Sequence, residues 1–320
     1  MKLGILMDPI RNINVQKDSS FAMLLASQSL GWDNYYMEAG DLFIRDGESW
    51  GRMSKLAVKD DPSDWFSQDE KKTLPLTDLD IILMRKDPPV DMQYIYITQI
   101  LELAQAAGVY VVNNPAALRD FNEKLFINLF PGFIAPTLVS SSPGQLREFV
   151  ETYEDIILKP LYGMGGASIF RARKNDTNIN VIIETLTLHG SHYIMAQKYI
   201  PEISEGDKRI LLINGEPVPY ALARIPVSGE NRGNLAAGGI SKGVELSSRD
   251  REICSAVAPV LLENGLIFVG LDVIGNHLTE INITSPTCIR ELDKIYSLNI
   301  ARDLMLAIEK NLVSSRPGFR

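Results

Sequence analysis

Three oxygen-bearing side chains, Asp272, Glu280 and Asn282, interrupt two otherwise apolar stretches near the C-terminal end of the chain. Glu280 and Asn282 stand two residues apart, so on a strand they share one face. A three-residue connection, 275–277, would place Asp272 opposite Glu280 on the partner strand. The apolar neighbours predict burial, and buried carboxylates are costly without a cation. Because such oxygens suit a Mg²⁺ ion that also holds nucleotide phosphates, the hairpin predicts a metal–nucleotide site rather than a solvated polar face.

A glycine-rich segment follows an apolar strand that ends at Lys159, and it comprises Gly163, Met164, Gly165 and Gly166. It lacks the Gly-Lys-Ser/Thr ending of a P-loop, and no clear helix follows it. The pattern therefore predicts a flap made of a strand, a turn and a second strand. Glycines let backbone N–H groups approach phosphate oxygens, and the lysine adds a positive charge. Taken alone, a glycine-rich segment of this kind is usually just a turn.

Other charged residues have the chemistry to contact a nucleotide. Lys124 is a second candidate for phosphate, and the Asp207 carboxylate could hold ribose hydroxyls. The Arg209 guanidinium could meet a phosphate or a carboxylate. Each of these, taken singly, is more simply explained as a surface charge.

The stretch 224–239 is glycine-rich, long for a connection, and framed by Arg224 and Arg232. These features predict a mobile lid that excludes water from a reaction. The alternative is a surface loop without a role.

The elements that must position these residues change character along the chain. The first third alternates apolar strands with helices, which is the βαβ rhythm of a parallel sheet. Ligands collect at the carboxyl ends of such strands, where Asp8 and the run Arg85-Lys86-Asp87 fall. The predicted elements are strands Leu3–Met7, Ile81–Met84 and Val109–Val112, a helix opened by Ser19 or Ser20, and a helix near Gln93–Ala107.

From about Lys124 the pattern changes to paired strands with tight turns. The Asn214-Gly215 pair is a strong hairpin signal. The predicted strands are Ile156–Lys159, Ala167–Arg171, Tyr193–Tyr199, Arg209–Ile213, Val218–Arg224, Leu266–Ile274 and Leu278–Ile283, with helices near Ser248–Glu263 and Asn299–Leu312.

Composition limits the function. The chain has 320 residues, 45% of them hydrophobic, and a formal net charge of −8, which argues against nucleic acid or anionic membrane as a partner. Cys254 and Cys288 are too few for a disulfide framework and predict small buried residues. The apolar run Leu3–Met7 is too short for a signal peptide or a membrane span. We therefore expect a cytoplasmic enzyme.

Several stretches together resemble the ATP-grasp carboxylate–amine ligases, and within them the bacterial, prokaryotic-type glutathione synthetases. The similarity runs through nearly the whole chain. The stretches that carry it are 7–9, 17–25, 83–89, 157–160, 163–171, 232–239 and 279–282. Segments 85–89 and 232–239 are more specific than general ATP-grasp features. Tyr162 departs from the pattern, because aspartate is expected at that place.

The resemblance implies an α/β fold with an α+β C-terminal part. Its three domains would be an N-terminal Rossmann-like preATP-grasp substrate domain at 1–122, a lid domain with the glycine-rich loop at 123–200, and a C-terminal catalytic domain at 201–320. It further implies ligation of glycine to the cysteinyl carboxylate of γ-glutamylcysteine through an acyl phosphate, with ATP and Mg²⁺ or Mn²⁺. A homotetramer is also implied. The alternative is another ATP-grasp amino-acid or peptide ligase.

Residue roles implied by the resemblance fall into four groups. Asp272, Glu280 and Asn282 would bind the metal, and Arg209, Arg224 and Arg232 would bind phosphate or substrate during catalysis. The nucleotide would be bound by Lys124, Lys159, Gly163, Met164, Gly165, Gly166, Gln197, Lys198, Tyr199, Ile200 and Asp207. The dipeptide would lie near Asp18, Ser19, Ser20, Arg85, Lys86, Asp87, Gly238 and Gly239.

Overall fold

The computed structural model describes residues 1–163, 165–227 and 240–315. Its N-terminal sheet is built around parallel strands in the order β2-β1-β7-β8. Their bounds are β1 Lys2–Met7, β2 Asp33–Met37, β7 Ile81–Arg85 and β8 Tyr110–Val112, and the antiparallel strands are β3 Leu42–Arg45, β4 Glu48–Val58, β5 Phe66–Gln68 and β6 Lys72–Pro75. The predicted parallel sheet is confirmed, whereas β2–β6 were not predicted.

Helices α1 (Ser19–Ser29) and α2 (Met92–Ala106) belong to this part of the chain, and α3 (Pro115–Asp120) follows β8. The α1 start was predicted at Ser19 or Ser20, and the structure explains it by an N-cap. The Asp18 carboxylate accepts a hydrogen bond from the Phe21 N–H at 2.7 Å, which satisfies an end group that the helix leaves unpaired.

The middle sheet is antiparallel, in the order β11-β10-β12-β9. Its strands are β9 Thr137–Ser140, β10 Asp155–Pro160, β11 Phe170–Arg173 and β12 Ile194–Lys198, and its helices are α4 Pro143–Tyr153 and α5 Ile179–Thr187. The predicted strand from Ala167 begins only at Phe170, so its start was wrong. Ser168 has a φ of +58°, a left-handed conformation that a strand does not accommodate.

The C-terminal sheet is also antiparallel, in the order β15-β14-β13-β16-β17. Its strands are β13 Asp207–Ile213, β14 Glu216–Ile225, β15 Ile240–Glu245, β16 Phe268–Ile274 and β17 His277–Asn282, and its helices are α6 Ser248–Glu263, α7 Ile289–Tyr296 and α8 Ile300–Ser315. Helix α8 packs against α1, and residues of both helices share one apolar core. The end of the chain therefore completes the N-terminal layer.

The predicted β13–β14 hairpin is confirmed, and its turn is Asn214-Gly215 with φ values of +51° and +81°. Replacing Gly215 by alanine is expected to destabilise the protein by about 1–2 kcal/mol, because a side chain disfavours this conformation. The added Cβ would also lie 3.1 Å from Leu262 Cδ1. The urea midpoint measures the effect. Gly132→Ala is the matched control, since a Cβ there meets nothing within 4 Å; equal midpoints for the two variants would contradict the argument.

Among the described residues, no helix combines the length and the apolar character needed to cross a membrane.

Candidate active site

The β16–β17 hairpin brings the three predicted metal-binding residues together. Asp272 pairs with Glu280, and Gly270 pairs with Asn282, so the predicted register is confirmed. The predicted three-residue connection is wrong, because the turn contains only residues 275 and 276. A β-bulge at Thr279 inserts one extra residue into β17 and restores the alignment.

Asp272 is buried and is held by two guanidinium groups. Arg209 Nε and Nη2 lie 2.5 and 2.8 Å from its two carboxylate oxygens. Arg224 Nη2 lies 2.9 Å from Asp272 Oδ2. Burial alone would raise the Asp272 pKa, but the two arginines outweigh it and hold the pKa below its usual range. Asp272 is therefore ionised at neutral pH.

Two lysines approach the same hairpin from the middle of the chain. Lys124 Nζ lies 2.9 Å from Glu280 Oε1 and donates to the Gly163 carbonyl at 3.2 Å. Burial opposes its charge, but the neighbouring Glu280 raises its pKa. Lys159 Nζ donates to the Thr279 carbonyl at 3.4 Å. Burial lowers the pKa of Lys159 to about 8, so the two lysines differ in how firmly they hold a proton.

Asp207 carries an unused acceptor inside the site. Its Oδ2 accepts from Arg224 Nη2 at 2.5 Å, whereas its Oδ1 is buried without a hydrogen-bond partner. Burial raises the Asp207 pKa to about 6. An unpaired buried carboxylate oxygen is costly, so it indicates a place for a ligand that donates a hydrogen bond.

These groups line a single cavity of about 350 Å³ between the middle and C-terminal sheets. Most of the predicted site residues lie on its wall: Asp87, Lys124, Lys159, Gly163, Gly165, Gly166, Gln197, Lys198, Tyr199, Ile200, Asp207, Arg209, Arg224, Asp272, Glu280 and Asn282. Tyr162 and Cys288 also line it. Met164, Arg232, Gly238, Gly239 and most of the predicted lid lie outside the described residues.

Asp18, Ser19, Ser20, Arg85 and Lys86 were predicted to lie near the substrate but do not line this cavity. Arg85 is buried, donating from Nε to Ser20 Oγ at 3.0 Å and from Nη2 to the Pro286 carbonyl at 2.9 Å. Ser19 Oγ accepts from the Ile289 N–H at 3.3 Å. These side chains join the N-terminal layer to the segment that carries Pro286 and Cys288 on the cavity wall.

Lys86 and Asp87 belong to a neighbouring polar cluster at the end of β7. Lys86 Nζ pairs with Asp8 Oδ1 at 2.7 Å. The Asp87 N–H donates to Asp8 Oδ2 at 3.0 Å, and Ser285 Oγ donates to Asp87 Oδ1. Asp8, Lys86 and Asp87 therefore meet at the carboxyl ends of β1 and β7, and the predicted ligand site at this edge stays a prediction.

Tyr199, on the cavity wall, is held in place by Arg171 and Asp155. The Arg171 guanidinium lies 3.5 Å from the centre of the Tyr199 ring, a cation–π contact. Arg171 is fixed by two hydrogen bonds to Asp155, at 2.8 and 2.6 Å. The Tyr199 N–H donates to the Asp155 carbonyl at 2.9 Å. Arg171 and Asp155 were not predicted as site residues, because nothing in the sequence spacing links either of them to Tyr199.

Glu123 is a lining residue that the sequence analysis missed. Its Oε1 accepts from the Ile283 N–H at 2.8 Å, from the Thr284 N–H at 3.0 Å and from the Thr284 hydroxyl at 2.9 Å. Burial and the nearby Glu280 raise its pKa. Its only signal in the sequence is its place beside Lys124.

The donor chemistry of the hairpin fits a hard divalent cation. Asp272, Glu280 and Asn282 offer two carboxylates and a carboxamide, the oxygen ligands that such ions prefer. Within the described ranges, no group of three His, Cys, Asp or Glu side chains is arranged to hold a metal, and this set has only two such members. The two carboxylates already pair with the cationic side chains of Arg209, Arg224 and Lys124. A bound metal would therefore be an additional positive charge beside these three.

Solved structures of ATP-grasp and related proteins share this fold. D-cycloserine synthetase DcsG superposes with a TM-score of 0.68 at 12% identity, covering 98% of this chain and all (100%) of that one. The ATP-grasp ligase PsnB, in a complex with a minimal precursor, Mg and ADP, has a TM-score of 0.62 at 14% identity, covering 97% and 98%. Together with the match of residues 123–297 to an ATP-grasp domain model, these superpositions show that the protein has the ATP-grasp fold.

Sequence comparison identifies the family. Residues 1–119 match the N-terminal domain of prokaryotic glutathione synthetase, and residues 123–297 match its ATP-grasp domain. Glutathione synthetase of Pseudomonas syringae pv. tomato is 59% identical over 312 residues, 98% of each chain. That of Yersinia pestis is 56% identical over 317 residues, 99% of each chain. The chain belongs to the prokaryotic glutathione synthetase family and shares its function as an ATP-dependent ligase. ATP-grasp ligases use ATP and divalent metal ions.

Proposed function

We propose that this enzyme joins glycine to the cysteinyl carboxylate of γ-glutamylcysteine, with ATP and Mg²⁺, to give glutathione, ADP and phosphate. Family membership supports the overall reaction. The observation that carries the chemistry is that one cavity is lined by the three hairpin residues Asp272, Glu280 and Asn282. The same cavity is lined by Lys124 and Lys159. A carboxylate must be activated before an amine attacks it, and this wall can hold the phosphates that activate it.

Asp272, Glu280 and Asn282 would hold the Mg²⁺ ion, and Mn²⁺ meets the same requirements. The ion supplies charge neutralisation for phosphate oxygens during phosphoryl transfer. Lys124 already contacts the glycine-rich loop through the Gly163 carbonyl, so its ammonium lies between the loop and the hairpin. The triphosphate would be held by Lys124 and Lys159. The glycine-rich loop would add the backbone N–H groups of Gly163, Gly165 and Gly166, together with Met164.

The γ-phosphoryl group would pass from ATP to an oxygen of the cysteinyl carboxylate, with ADP as the leaving group. The amine of glycine then attacks the acyl carbon, the new amide loses a proton, and phosphate leaves. Arg209 and Arg224 stand ready to stabilise the oxyanion that forms in between. Their current contact with Asp272 fixes both guanidinium groups at the cavity wall. Arg232 is proposed as a third cation for the same charges.

The nucleoside would lie along the cavity wall formed by the end of β12 and by Asp207. The segment Gln197–Ile200 at the end of β12 would present its backbone to adenine, and the Arg171 contact holds the Tyr199 ring rigid. The unpaired Asp207 Oδ1 would accept a hydrogen bond from a ribose hydroxyl. The dipeptide would lie near Asp87, Gly238 and Gly239. Five further residues, at the start of α1 and the end of β7, would lie nearby: Asp18, Ser19, Ser20, Arg85 and Lys86.

Asp207→Asn is expected to weaken ATP binding about 10- to 100-fold, because a hydrogen bond to a charged acceptor contributes roughly 1.5–3 kcal/mol. The same substitution should reduce the preference of the enzyme for ATP over its 2′- or 3′-deoxy analogues, because a neutral carboxamide oxygen accepts a weaker hydrogen bond than a carboxylate. Titration calorimetry with the three nucleotides measures both effects. Glu205→Gln, in the short helix before β13, is the control. If Asp207→Asn still binds the deoxy analogues more weakly than ATP by the same factor as the wild type, the ribose assignment is wrong.

We propose the domain limits 1–122, 123–200 and 201–320, a homotetrameric assembly and a cytoplasmic location for the enzyme. The N-terminal, middle and C-terminal sheets, which follow one another along the chain, support the domain limits.

The reaction is tested by following ADP and phosphate with candidate dipeptides and amino acids. We expect rapid release only when γ-glutamylcysteine and glycine are both present, with one glutathione formed per ADP. Turnover with a different dipeptide or amine, and none with this pair, would assign the site to another peptide ligation.

A further inference from the structure

Asn113 belongs to none of the sequence motifs, and it is buried where the N-terminal sheet meets the open end of the β16–β17 hairpin. It follows directly after β8 and is 4% exposed. Its Nδ2 donates to the Phe268 carbonyl at 2.8 Å and to the Ile283 carbonyl at 2.7 Å. Its Oδ1 accepts from the Ile267 N–H at 2.8 Å and the Phe268 N–H at 3.0 Å. All four hydrogen-bonding positions of the carboxamide are used.

This pattern needs an asparagine. Aspartate would turn an acceptor oxygen towards the carbonyls of Phe268 and Ile283, and glutamine is one methylene too long for a closely packed site. The carboxamide bonds to the first residue of β16 and to the residue that follows β17. It therefore fixes the separation of the two strands at their open end.

The strand β17 depends on such contacts because it forms the edge of the C-terminal sheet. An edge strand has ladder partners on one side only. The outer side of β17 is held by Glu123, whose backbone carbonyl accepts from the Ile281 N–H at 2.9 Å and whose carboxylate accepts from the Ile283 N–H at 2.8 Å. With Asn113 bound to the Ile283 carbonyl, the backbone on both sides of Asn282 is fixed.

We propose that Asn113 is a positioning residue for the metal–nucleotide site: it sets the distance between Asp272 on β16 and Asn282 on β17. The inference rests on the proposed metal role of these two residues. Mg²⁺ requires near-ideal octahedral geometry, and a binding site must be held to within about 0.5 Å. Without the Asn113 contact, β16 and β17 can move apart at their open end. Asn282 immediately precedes Ile283, which Asn113 holds, so this movement would take Asn282 out of the ligand geometry.

The test compares Asn113→Asp and Asn113→Ser with Asn34→Ser. Asn34 is a matched control: it is 2% exposed, accepts from Ser27 Oγ at 2.6 Å and donates to the Leu24 carbonyl at 3.1 Å. It lies on β2, away from the cavity. Asn113→Ser keeps a hydroxyl donor and serves if Asn113→Asp does not fold.

Mg²⁺ is titrated at a fixed concentration of a non-hydrolysable ATP analogue while the melting temperature is followed, since a ligand that binds the folded state raises it. A parallel titration follows turnover. The Asn113 variants are expected to need at least about 10-fold more Mg²⁺ to reach half of the maximal rise in melting temperature. Losses of this size are typical when a group that orients a metal ligand is removed. At saturating Mg²⁺ their turnover should recover substantially. Asn34→Ser should lower the starting melting temperature and leave the Mg²⁺ requirement within twofold.

Two results would overturn the inference. Asn113 variants that are less stable but respond at the same Mg²⁺ concentration as the wild type would make the contact purely structural. A wild type whose melting temperature is insensitive to Mg²⁺ with nucleotide would instead remove the proposed metal site, and the positioning role with it.

Discussion

Replacing Glu280 by glutamine is expected to reduce turnover at least about 100-fold while the protein stays folded. Substitution of a group that merely supports a metal ligand costs about 10–100-fold, and Glu280 is proposed as a ligand itself. Glutamine keeps the shape of the side chain but removes the charge that now faces Lys124 at 2.9 Å. Both the metal and the local charge balance are therefore affected.

Asn282→Ala is expected to act on the same step, with a loss of similar size, because it removes an oxygen from the same strand face. Turnover is measured across a range of Mg²⁺ concentrations, with circular dichroism to confirm the fold. Glu252→Gln is the control, since Glu252 pairs with Arg249 at 3.1 Å on the exposed side of α6. Wild-type turnover in either hairpin variant would remove the metal assignment.

Local patterns in the sequence predicted much of this site because the contacts themselves are local. Asp272 and Glu280 lie on two strands joined by a short turn, so alternation alone brings them together. The two-residue turn and the bulge at Thr279 cancel each other, which is why a wrong loop length still gave the right register. The pairing of β10, which contains Lys159, with the next strand β11 was predicted for the same reason, because the two strands follow each other in the sequence.

The missed features depend on residues that are distant in the sequence. Asn113 meets Ile283, 170 positions away, and Arg85 meets Pro286, 201 positions away. No periodicity links such pairs. The same holds for Glu123, whose carboxylate accepts hydrogen bonds from Ile283 and Thr284, 160 and 161 positions away. Strands β3–β6 were missed because they are antiparallel additions to a parallel sheet, outside the βαβ rhythm. Strand β2 is parallel to β1 and was missed as well.

Lys159→Met is expected to lower kcat/KM about 10²–10³-fold, the range for removing one preorganised group that stabilises developing charge. Lys159 is buried in the cavity wall, and its ammonium donates to the Thr279 carbonyl at 3.4 Å, beside the proposed metal ligands. Methionine retains most of the volume, so packing should survive. Lys174→Met, at an exposed lysine paired with Glu151 at 2.9 Å, is the control for loss of a charge.

The pH dependence separates a charge effect from a packing effect. Burial lowers the Lys159 pKa to about 8, so the free enzyme carries this charge below pH 8 and loses it as the pH rises through that value. Lys124 has a raised pKa because the Glu280 charge outweighs its burial, so it stays charged over the same range. ATP affinity of the wild type should therefore fall between pH 7.5 and pH 9.5, by up to about 10-fold per pH unit where one proton must be taken up on binding.

Lys159→Met should bind ATP weakly and with little pH dependence in this range. Lys159→Arg should bind with an affinity that stays flat, because a guanidinium remains protonated throughout. Titration calorimetry with a non-hydrolysable ATP analogue gives the affinities directly. If Lys159→Met shows the same decline with pH as the wild type, the titrating group is another residue, and the proposed contact between Lys159 and the phosphates loses its electrostatic basis.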